Sequence, residues 1–261
     1  MSKIQGIRKG KPMVFSIYGD ETLPPLMLIH GMANTAQSCY GRIVPYLNEY
    51  CVILCEVDGH TDKETGLFIS IADCCEKIEK YVARKFEGKV YGLSGFSMGA
   101  TIAVELMARN NIRIEKVILD AAFCVKMGVL TPIYTGIFCW ALGRIKSGKT
   151  IPAVMIESVM GKGNSGIVDT FYKNVEIQSI RNACRDIYRY EISGKIADFG
   201  GEVVFWYGSN EHYPAKTAGL LKRYLPEMKV NVFEGMGHGQ LLNEHPREYS
   251  QKMKDFLVLK K

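Results

Sequence analysis

A serine between two closely spaced glycines is the first feature of this sequence that could do chemistry. The segment Gly95-Phe96-Ser97-Met98-Gly99 has the spacing G-x-S-x-G. In this pattern a sharp turn between a strand and a helix exposes the serine hydroxyl, and side chains at the glycine positions would collide with the neighbouring strand or helix. An apolar run at 90–93 precedes the turn and a helical pattern at 98–109 follows it. We therefore expect Ser97 to be a nucleophile.

A serine hydroxyl is a poor nucleophile until a base removes its proton, and His238 is the best candidate for that base. It lies in Gly235-Met236-Gly237-His238-Gly239, after an apolar run at 230–233 and before the last helical pattern. A histidine flanked by glycines on a loop is not expected in the core, and it could reach the serine. The other histidines are His30, His60, His212 and His245.

The sequence resembles the α/β-hydrolase fold family over nearly its whole length. Besides the serine turn, His30-Gly31-Met32 follows a predicted strand at 26–29 and is similar to the histidine-glycine motif of that family. In the family, the backbone N–H after this motif helps to bind the oxyanion. The resemblance therefore implies that the amides of Met32 and Met98 form the oxyanion hole.

The same resemblance implies the order serine, acid, histidine along the chain, with the acid just after a strand. The run at 203–207 is the predicted strand, and Glu211 is the first carboxylate beyond it; no aspartate lies between Asp198 and Asp255. Asp120, after a predicted strand at 117–119, is the alternative acid, and it could equally be a loop carboxylate or a helix cap. We expect Glu211 to orient His238.

The elements that must position these residues alternate between short apolar runs and longer helical patterns, which indicates βα units around a mostly parallel sheet. The predicted strands are 13–18, 26–29, 51–57, 90–93, 117–119, 203–207 and 230–233. The predicted helices are 37–50, 68–86, 98–109, one after Pro214, and 246–257. The expected architecture is the α/β-hydrolase fold, with helices on both faces of the sheet and a helical insertion.

The alternation stops between about residues 124 and 192, where only helical segments broken by proline and glycine are recognisable. We therefore predict a core domain formed by residues 1–123 and 193–261, and a helical cap, or lid, formed by residues 124–192. Arg181, Arg185 and Arg189 share one helix face in this cap. Such a row is usually a solvated surface, but in a cap it could meet an anionic substrate.

Two glycine motifs in the predicted cap suggest phosphate binding, and neither has the required context. The segment 143–150 fits the P-loop spacing G-x-x-x-x-G-K-[ST], but an aromatic-rich run at 133–142, better interpreted as a helix, precedes it. The segment 161–166 fits G-x-G-x-x-G, but it lies inside the helical insertion without a preceding strand. We interpret the first as a flexible basic turn and the second as a loop between cap helices.

Composition excludes several other classes of protein. The chain has 261 residues, 47% of them hydrophobic, and a net charge of +6. Its one tight basic cluster, Arg8, Lys9 and Lys11, is too short for a nucleic-acid interface. No secretory signal or membrane-spanning run of about 20 apolar residues is recognisable. Most of the eight cysteines lie among apolar neighbours and none has CxxC spacing, so we expect reduced thiols, no zinc site and a cytoplasmic location.

Taken with the resemblance, these features predict a serine hydrolase that cleaves a small to medium carboxylic ester through an acyl-enzyme on Ser97. The partner is expected to be a small-molecule ester or related acyl compound, with no nucleic acid and no membrane span. No metal or organic cofactor is implied. A thioesterase, acyltransferase or peptidase with the same three residues is the alternative within enzymes. A non-catalytic ligand-binding protein on the same fold is the alternative outside them.

Overall fold

The computed structural model describes residues 13–61 and 66–258, and the basic cluster at Arg8, Lys9 and Lys11 lies outside these ranges. Within them, seven strands form one sheet in the order β1-β3-β2-β4-β5-β6-β7. The β1 strand is antiparallel to β3 and the other pairs are parallel. The strands are β1 (Val14–Tyr18), β2 (Pro25–Ile29), β3 (Cys51–Glu56), β4 (Lys89–Phe96), β5 (Arg113–Asp120), β6 (Glu202–Gly208) and β7 (Lys229–Phe233).

The described ranges contain nine α-helices, some of them short. They are α1 (Ala36–Tyr40), α2 (Ile71–Lys85), α3 (Met98–Arg109), α4 (Thr131–Lys146), α5 (Ala153–Met160), α6 (Ile177–Ile187), α7 (His212–Leu221), α8 (Gln240–Glu244) and α9 (Pro246–Phe256). Short 3-10 turns lie at Val44–Tyr46, Gly128–Leu130, Ser165–Thr170 and Gly194–Asp198. None of the helices in this part of the chain is both long and apolar enough to cross a membrane.

Both faces of the sheet are covered, because successive side chains of a strand point to opposite sides. In β5, Val117 and Leu119 join the core beneath α2 and α3, whereas Ile118 joins the core beneath α1 and α9. The central helix α3 is buried over most of its length. The predicted fold class, a mostly parallel sheet with helices on both faces and a helical insertion, is confirmed.

The predicted helix at 37–50 is wrong. A capping box at Thr35 starts α1, but the helix ends at Tyr40 with Gly41 as its C-cap. Pro45 then lies in a separate 3-10 turn, because its nitrogen cannot donate the hydrogen bond that a continuing helix needs. The sequence also gave no indication of the five-residue helix α8, which follows the His238 loop.

The segment between β5 and β6 contains only helices and turns. Residues 124–192 carry α4, α5 and α6 together with two of the 3-10 turns. The β5 and β6 strands are hydrogen-bonded neighbours, with Leu119 opposite Phe205. The insertion, as we call residues 124–192, therefore leaves and re-enters the sheet at adjacent strands.

Candidate active site

Ser97 lies on the turn between β4 and α3, in a backbone conformation with φ 54° and ψ −113°. A positive φ is strained for a residue with a side chain. The flanking glycines make the turn possible, because a Cβ at Gly95 would overlap the Gly99 carbonyl and a Cβ at Gly99 would overlap the carbonyl of Ile29. The predicted requirement for glycine at both positions therefore has a direct structural reason.

The structure brings the predicted site residues together around one cavity of about 170 Å³. Ser97, Glu211 and His238 all line it, and so do Met32 and Met98. They come from the ends of separate parallel strands, which meet at one edge of the sheet. This is where an open α/β sheet commonly binds its ligand.

Glu211 is the carboxylate that contacts the imidazole of His238. Its Oε1 lies 2.6 Å from His238 Nδ1, and its Oε2 accepts a 2.6 Å hydrogen bond from the Gly208 N–H. Burial disfavours the imidazolium, but the charge and hydrogen bond of Glu211 outweigh it and raise the pKa of His238 above its usual value. This contact favours the tautomer with the proton on Nδ1, which leaves Nε2 free to accept a proton.

Asp120, the alternative acid, is buried and bonds elsewhere. Its carboxylate accepts a 2.9 Å hydrogen bond from the hydroxyl of Tyr249, and its backbone carbonyl accepts a 2.7 Å bond from the Ser97 N–H. Burial and the nearby charge of Glu211 raise the pKa of Asp120 to about 7. Asp120 therefore holds the serine turn through its backbone carbonyl, whereas Glu211 is the carboxylate that is hydrogen-bonded to His238.

Met32 and Met98 line the cavity together with Ser97. Within the described residues, neither the Met32 N–H nor the Met98 N–H has a hydrogen-bond partner. The loop that carries the Met32 amide packs closely against Phe96. Glycine at position 31 allows this packing, because a Cβ there would lie 2.8 Å from Cδ1 of Phe96. Two unpaired donors next to a nucleophile can stabilise an oxyanion.

His30 anchors the loop that carries the Met32 amide. Its Nε2 accepts a 3.0 Å hydrogen bond from the Val57 N–H, and its Nδ1 lies 2.8 Å from the carbonyl oxygen of Gly31. Complete burial lowers the pKa of His30 to about 4. The ring is therefore neutral at physiological pH, with Nε2 as a hydrogen-bond acceptor and Nδ1 as a donor.

Asn164, which no sequence motif identified, holds the His238 loop. The Nδ2 of Asn164 donates to the His238 carbonyl at 2.8 Å and to the Met160 carbonyl at 3.0 Å, and the His238 N–H donates to the Met160 carbonyl at 2.7 Å. The backbones approach closely, since a Cβ at Gly161 would lie 2.8 Å from the Cα of Gly237. In the sequence, the glycine pair at 161 and 163 predicts a loop here but not its contact with the histidine.

In the part of the chain that the structure describes, the walls of the cavity are mainly apolar and include no lysine or arginine. Asn34 offers the cavity a buried amide whose Oδ1 has no hydrogen-bond partner in the described part of the chain. The hydroxyls of Tyr134 and Tyr213 lie 3.4 Å apart. The apolar side chains that line the cavity include Phe96, Phe123, Met127, Tyr134, Phe138, Met160, Ile167, Phe171, Ile187, Tyr188 and Tyr213.

The other sequence features of the insertion lie away from Ser97. Arg181, Arg185 and Arg189 line a separate groove between α4 and α6 and not this cavity. Residues 143–146 form the last turn of α4, so a helix and not a strand precedes the P-loop-like segment. No group of three or more His, Cys, Asp or Glu side chains in residues 13–61 and 66–258 is arranged to hold a metal ion.

Comparison with known proteins points to one fold. Residues 24–147 match the model of the α/β hydrolase fold, a range that contains Ser97 and ends before Glu211. A solved structure assigned to the α/β-hydrolase family, from Desulfitobacterium hafniense, is 26% identical, with a TM-score of 0.85 over 94% of this chain and 100% of that chain. A search of curated proteins found no match.

More distant structures share the fold alone. A carboxylesterase structure from Nitrososphaera gargenis is 16% identical, with a TM-score of 0.75 over 94% of each chain. The enol-lactonase from Burkholderia xenovorans is 13% identical, with a TM-score of 0.74 over 95% of this chain and 96% of that chain. These matches cover nearly the whole length of the present chain.

Proposed function

This chain has the α/β-hydrolase fold, as its sequence predicts, and we propose that it is a serine hydrolase that cleaves small to medium carboxylic esters. The observation that carries this proposal is the Glu211–His238 contact of 2.6 Å, in the same cavity as Ser97 on its strained turn. A ligand-binding protein would have no need of a nucleophile, a base and an orienting carboxylate together.

The reaction follows from these three side chains. His238 removes the proton of the Ser97 hydroxyl, and the serine oxygen attacks the carbonyl carbon of the ester. Glu211 holds the imidazole in the required tautomer and stabilises the imidazolium. His238 then returns the proton to the departing alcohol, leaving an acyl group on Ser97. Water, activated by the same histidine, releases the acid and restores the enzyme.

The amides of Met32 and Met98 serve as the oxyanion hole in this proposal. Met32 and Met98 both line the cavity, and neither backbone N–H has a partner among the described residues. A donor at such a position typically contributes about 3 kcal/mol to transition-state stabilisation. Because these donors belong to the backbone, substitution of either side chain should leave them in place.

The cavity favours an uncharged, largely apolar substrate. Among the described residues its lining has no lysine or arginine to pair with an anion, and the imidazole of His238 already contacts Glu211. The insertion supplies much of the apolar wall, including Phe138 of α4 and Phe171. We infer that residues 124–192 act as a cap over the reacting groups. Esterase and lactonase chemistry in proteins of the same fold is consistent with this substrate class.

The direct test is Ser97→Ala, assayed with p-nitrophenyl esters of graded chain length and with a fluorophosphonate probe. Loss of the nucleophile should lower turnover by about 10⁴–10⁶ and abolish labelling, while the melting temperature stays near that of the wild type. Ser147→Ala, at the exposed end of α4, is the matched control. Absence of labelling in the wild-type protein would favour ligand binding over catalysis.

A further inference from the structure

The outer face of α4 carries a row of exposed apolar side chains. Ile133, Ile137 and Trp140 are spaced four and three residues apart, so they share one side of the helix, and they are 57%, 45% and 46% exposed. Val129 and Leu130, which precede the helix, are 91% and 44% exposed. We call these five residues the apolar stripe. An exposed apolar surface of this kind marks a contact with a partner.

Much of the net positive charge of the chain lies in the insertion that carries the stripe. The insertion contains nine lysines and arginines against five aspartates and glutamates, a net charge of +4 out of +6 for the chain. The guanidinium of Arg144 lies 5.4 Å from the Trp140 ring and bonds to the Thr150 carbonyl. An arginine is thus held at the end of the stripe, next to its tryptophan.

A groove of about 370 Å³ between α4 and α6 lies beside the stripe. Pro132 and Gly136 of α4 line it, and they adjoin Ile133 and Ile137 on the helix surface. Its opposite wall carries the exposed arginines 181, 185 and 189, and none of the described residues that line it is acidic. Within the described residues, the second and third of these arginines form no ion pair. We call this feature the basic groove.

We propose that the apolar stripe and the basic groove form a docking surface for an anionic lipid bilayer. Helices that lie in a membrane surface combine an apolar face containing tryptophan with flanking basic residues. The stripe enters the boundary between headgroups and acyl chains, and the arginines of the groove bind lipid phosphates. This is a peripheral contact, so it does not require a helix that spans the membrane.

Charge favours a membrane over a second copy of the chain. A symmetric dimer through this face would place the same patch on both sides of the interface, so that the arginines of one basic groove would approach those of the other. A bilayer with anionic headgroups instead neutralises them. The inner side of α4, with Tyr134 and Phe138, lines the Ser97 cavity. Docking would therefore bring that cavity close to apolar compounds dissolved in the bilayer.

Tryptophan fluorescence offers a direct test that does not depend on catalysis. The chain has two tryptophans, of which Trp140 is in the stripe and Trp206 is fully buried. Vesicles of phosphatidylcholine with phosphatidylglycerol should shift the emission to the blue, and pure phosphatidylcholine vesicles should not. Trp140→Phe should abolish the shift. No shift and no co-sedimentation with the anionic vesicles would overturn the proposal.

Paired variants separate docking from general electrostatics. Arg185→Gln with Arg189→Gln should lower partitioning into anionic vesicles at least tenfold, and Ile133→Ser with Ile137→Ser should do the same. Lys80→Gln with Arg223→Gln removes the same charge from exposed positions on α2 and beyond α7, and it should change partitioning less than threefold. An equal loss in both arginine and control variants would overturn the proposal.

Self-association gives a different result in the same experiments. If the stripe were a dimer interface, the wild type would elute as a dimer, and Ile133→Ser with Ile137→Ser would convert it to a monomer. A dimer of that kind without vesicle binding would overturn the proposal and would show that the docking surface binds a second copy of the chain. The serine substitutions are at exposed positions, and an unchanged melting temperature would show that they fold.

Discussion

The side-chain amide of Asn164 donates a hydrogen bond to the backbone carbonyl of His238, at 2.8 Å. The same nitrogen reaches the Met160 carbonyl, which also accepts from the His238 N–H. The middle of the insertion is thereby attached to the loop of the proposed base. The position of the imidazole relative to Ser97 then depends on the insertion as well as on the sheet.

Asn164→Asp should lower kcat about 10–100-fold with KM within twofold. The carboxylate keeps the shape of the amide but cannot donate, and it would repel the two carbonyl oxygens, so the His238 loop should move. A misplacement of about 1 Å can cost about a hundredfold in rate. Asn174→Ala, at an exposed asparagine of the insertion, is the control. A raised KM with unchanged kcat would mean that Asn164 only shapes the cavity.

Glu211→Gln should move the acidic limb of the kcat/KM profile to lower pH. The limb reports the pKa of His238, which must be neutral to act as base. Glu211 raises that pKa against the effect of burial, so its loss lets burial lower the pKa. We also expect kcat to fall about 10²–10³-fold.

Asp120→Asn is the control variant for the pH profile of Glu211→Gln. The charge of Asp120 is the smallest of the influences that raise the pKa of His238, so the limb should move less and the rate should change little. A strong loss of rate in Asp120→Asn together with an unaffected Glu211→Gln would assign the acid to the earlier strand.

Asp120→Asn should also stabilise the fold more at pH 8 than at pH 5. The pKa of Asp120 is about 7 in the folded protein against about 4 in an unfolded chain. A raised folded pKa means that stability is lost as the pH rises from about 4 through 7. Asparagine is neutral throughout and can still accept from Tyr249. The test is to measure the melting temperatures of the wild type and of Asp120→Asn at pH 5 and at pH 8. The same difference between the two proteins at both pH values would contradict the prediction.

Phe138→Ala should shift the ester preference toward longer acyl chains. Phe138 lines the cavity from α4, whereas Ile137 on the same helix faces outward. We expect the ratio of kcat/KM for a long ester to that for a short one to rise about tenfold, which is within the range for a small change in an apolar pocket. Ile137→Ala is the matched control. The same ratio in both variants would show that α4 does not define the acyl pocket.

The features predicted best from the sequence are those that the backbone itself imposes. A turn such as that at Ser97 accepts only glycine at positions 95 and 99, because any Cβ meets a neighbouring carbonyl. Hydrophobic periodicity predicts the order of strands along the chain, and the seven strands of the described sheet occur in that order. The predicted helix at 37–50 does not form as one helix, because Gly41 caps α1 and Pro45 lies in a separate turn.

Contacts between distant segments could not be predicted in the same way. Asn164 and His238 are 74 residues apart, and no local pattern shows that an insertion loop will meet the histidine loop. Arg181 and Arg185 lie in α6, but Arg189 lies beyond the end of that helix, so the predicted row on one helix face is only partly correct. The sequence also does not reveal that these arginines line a groove separate from the Ser97 cavity. Which side of α4 faces inward likewise depends on how the insertion packs on the core.

The burial of the thiols gives this protein a natural point for chemical labelling. All eight cysteines are free and lie in the described ranges; seven are buried, and Cys139 is half-buried beside the basic groove. Burial raises the pKa of Cys139, although Arg181 partly opposes this, so mildly alkaline conditions should favour its reaction. A maleimide dye would then attach at one position of the wild-type chain, where its emission could report on the groove without any engineered cysteine.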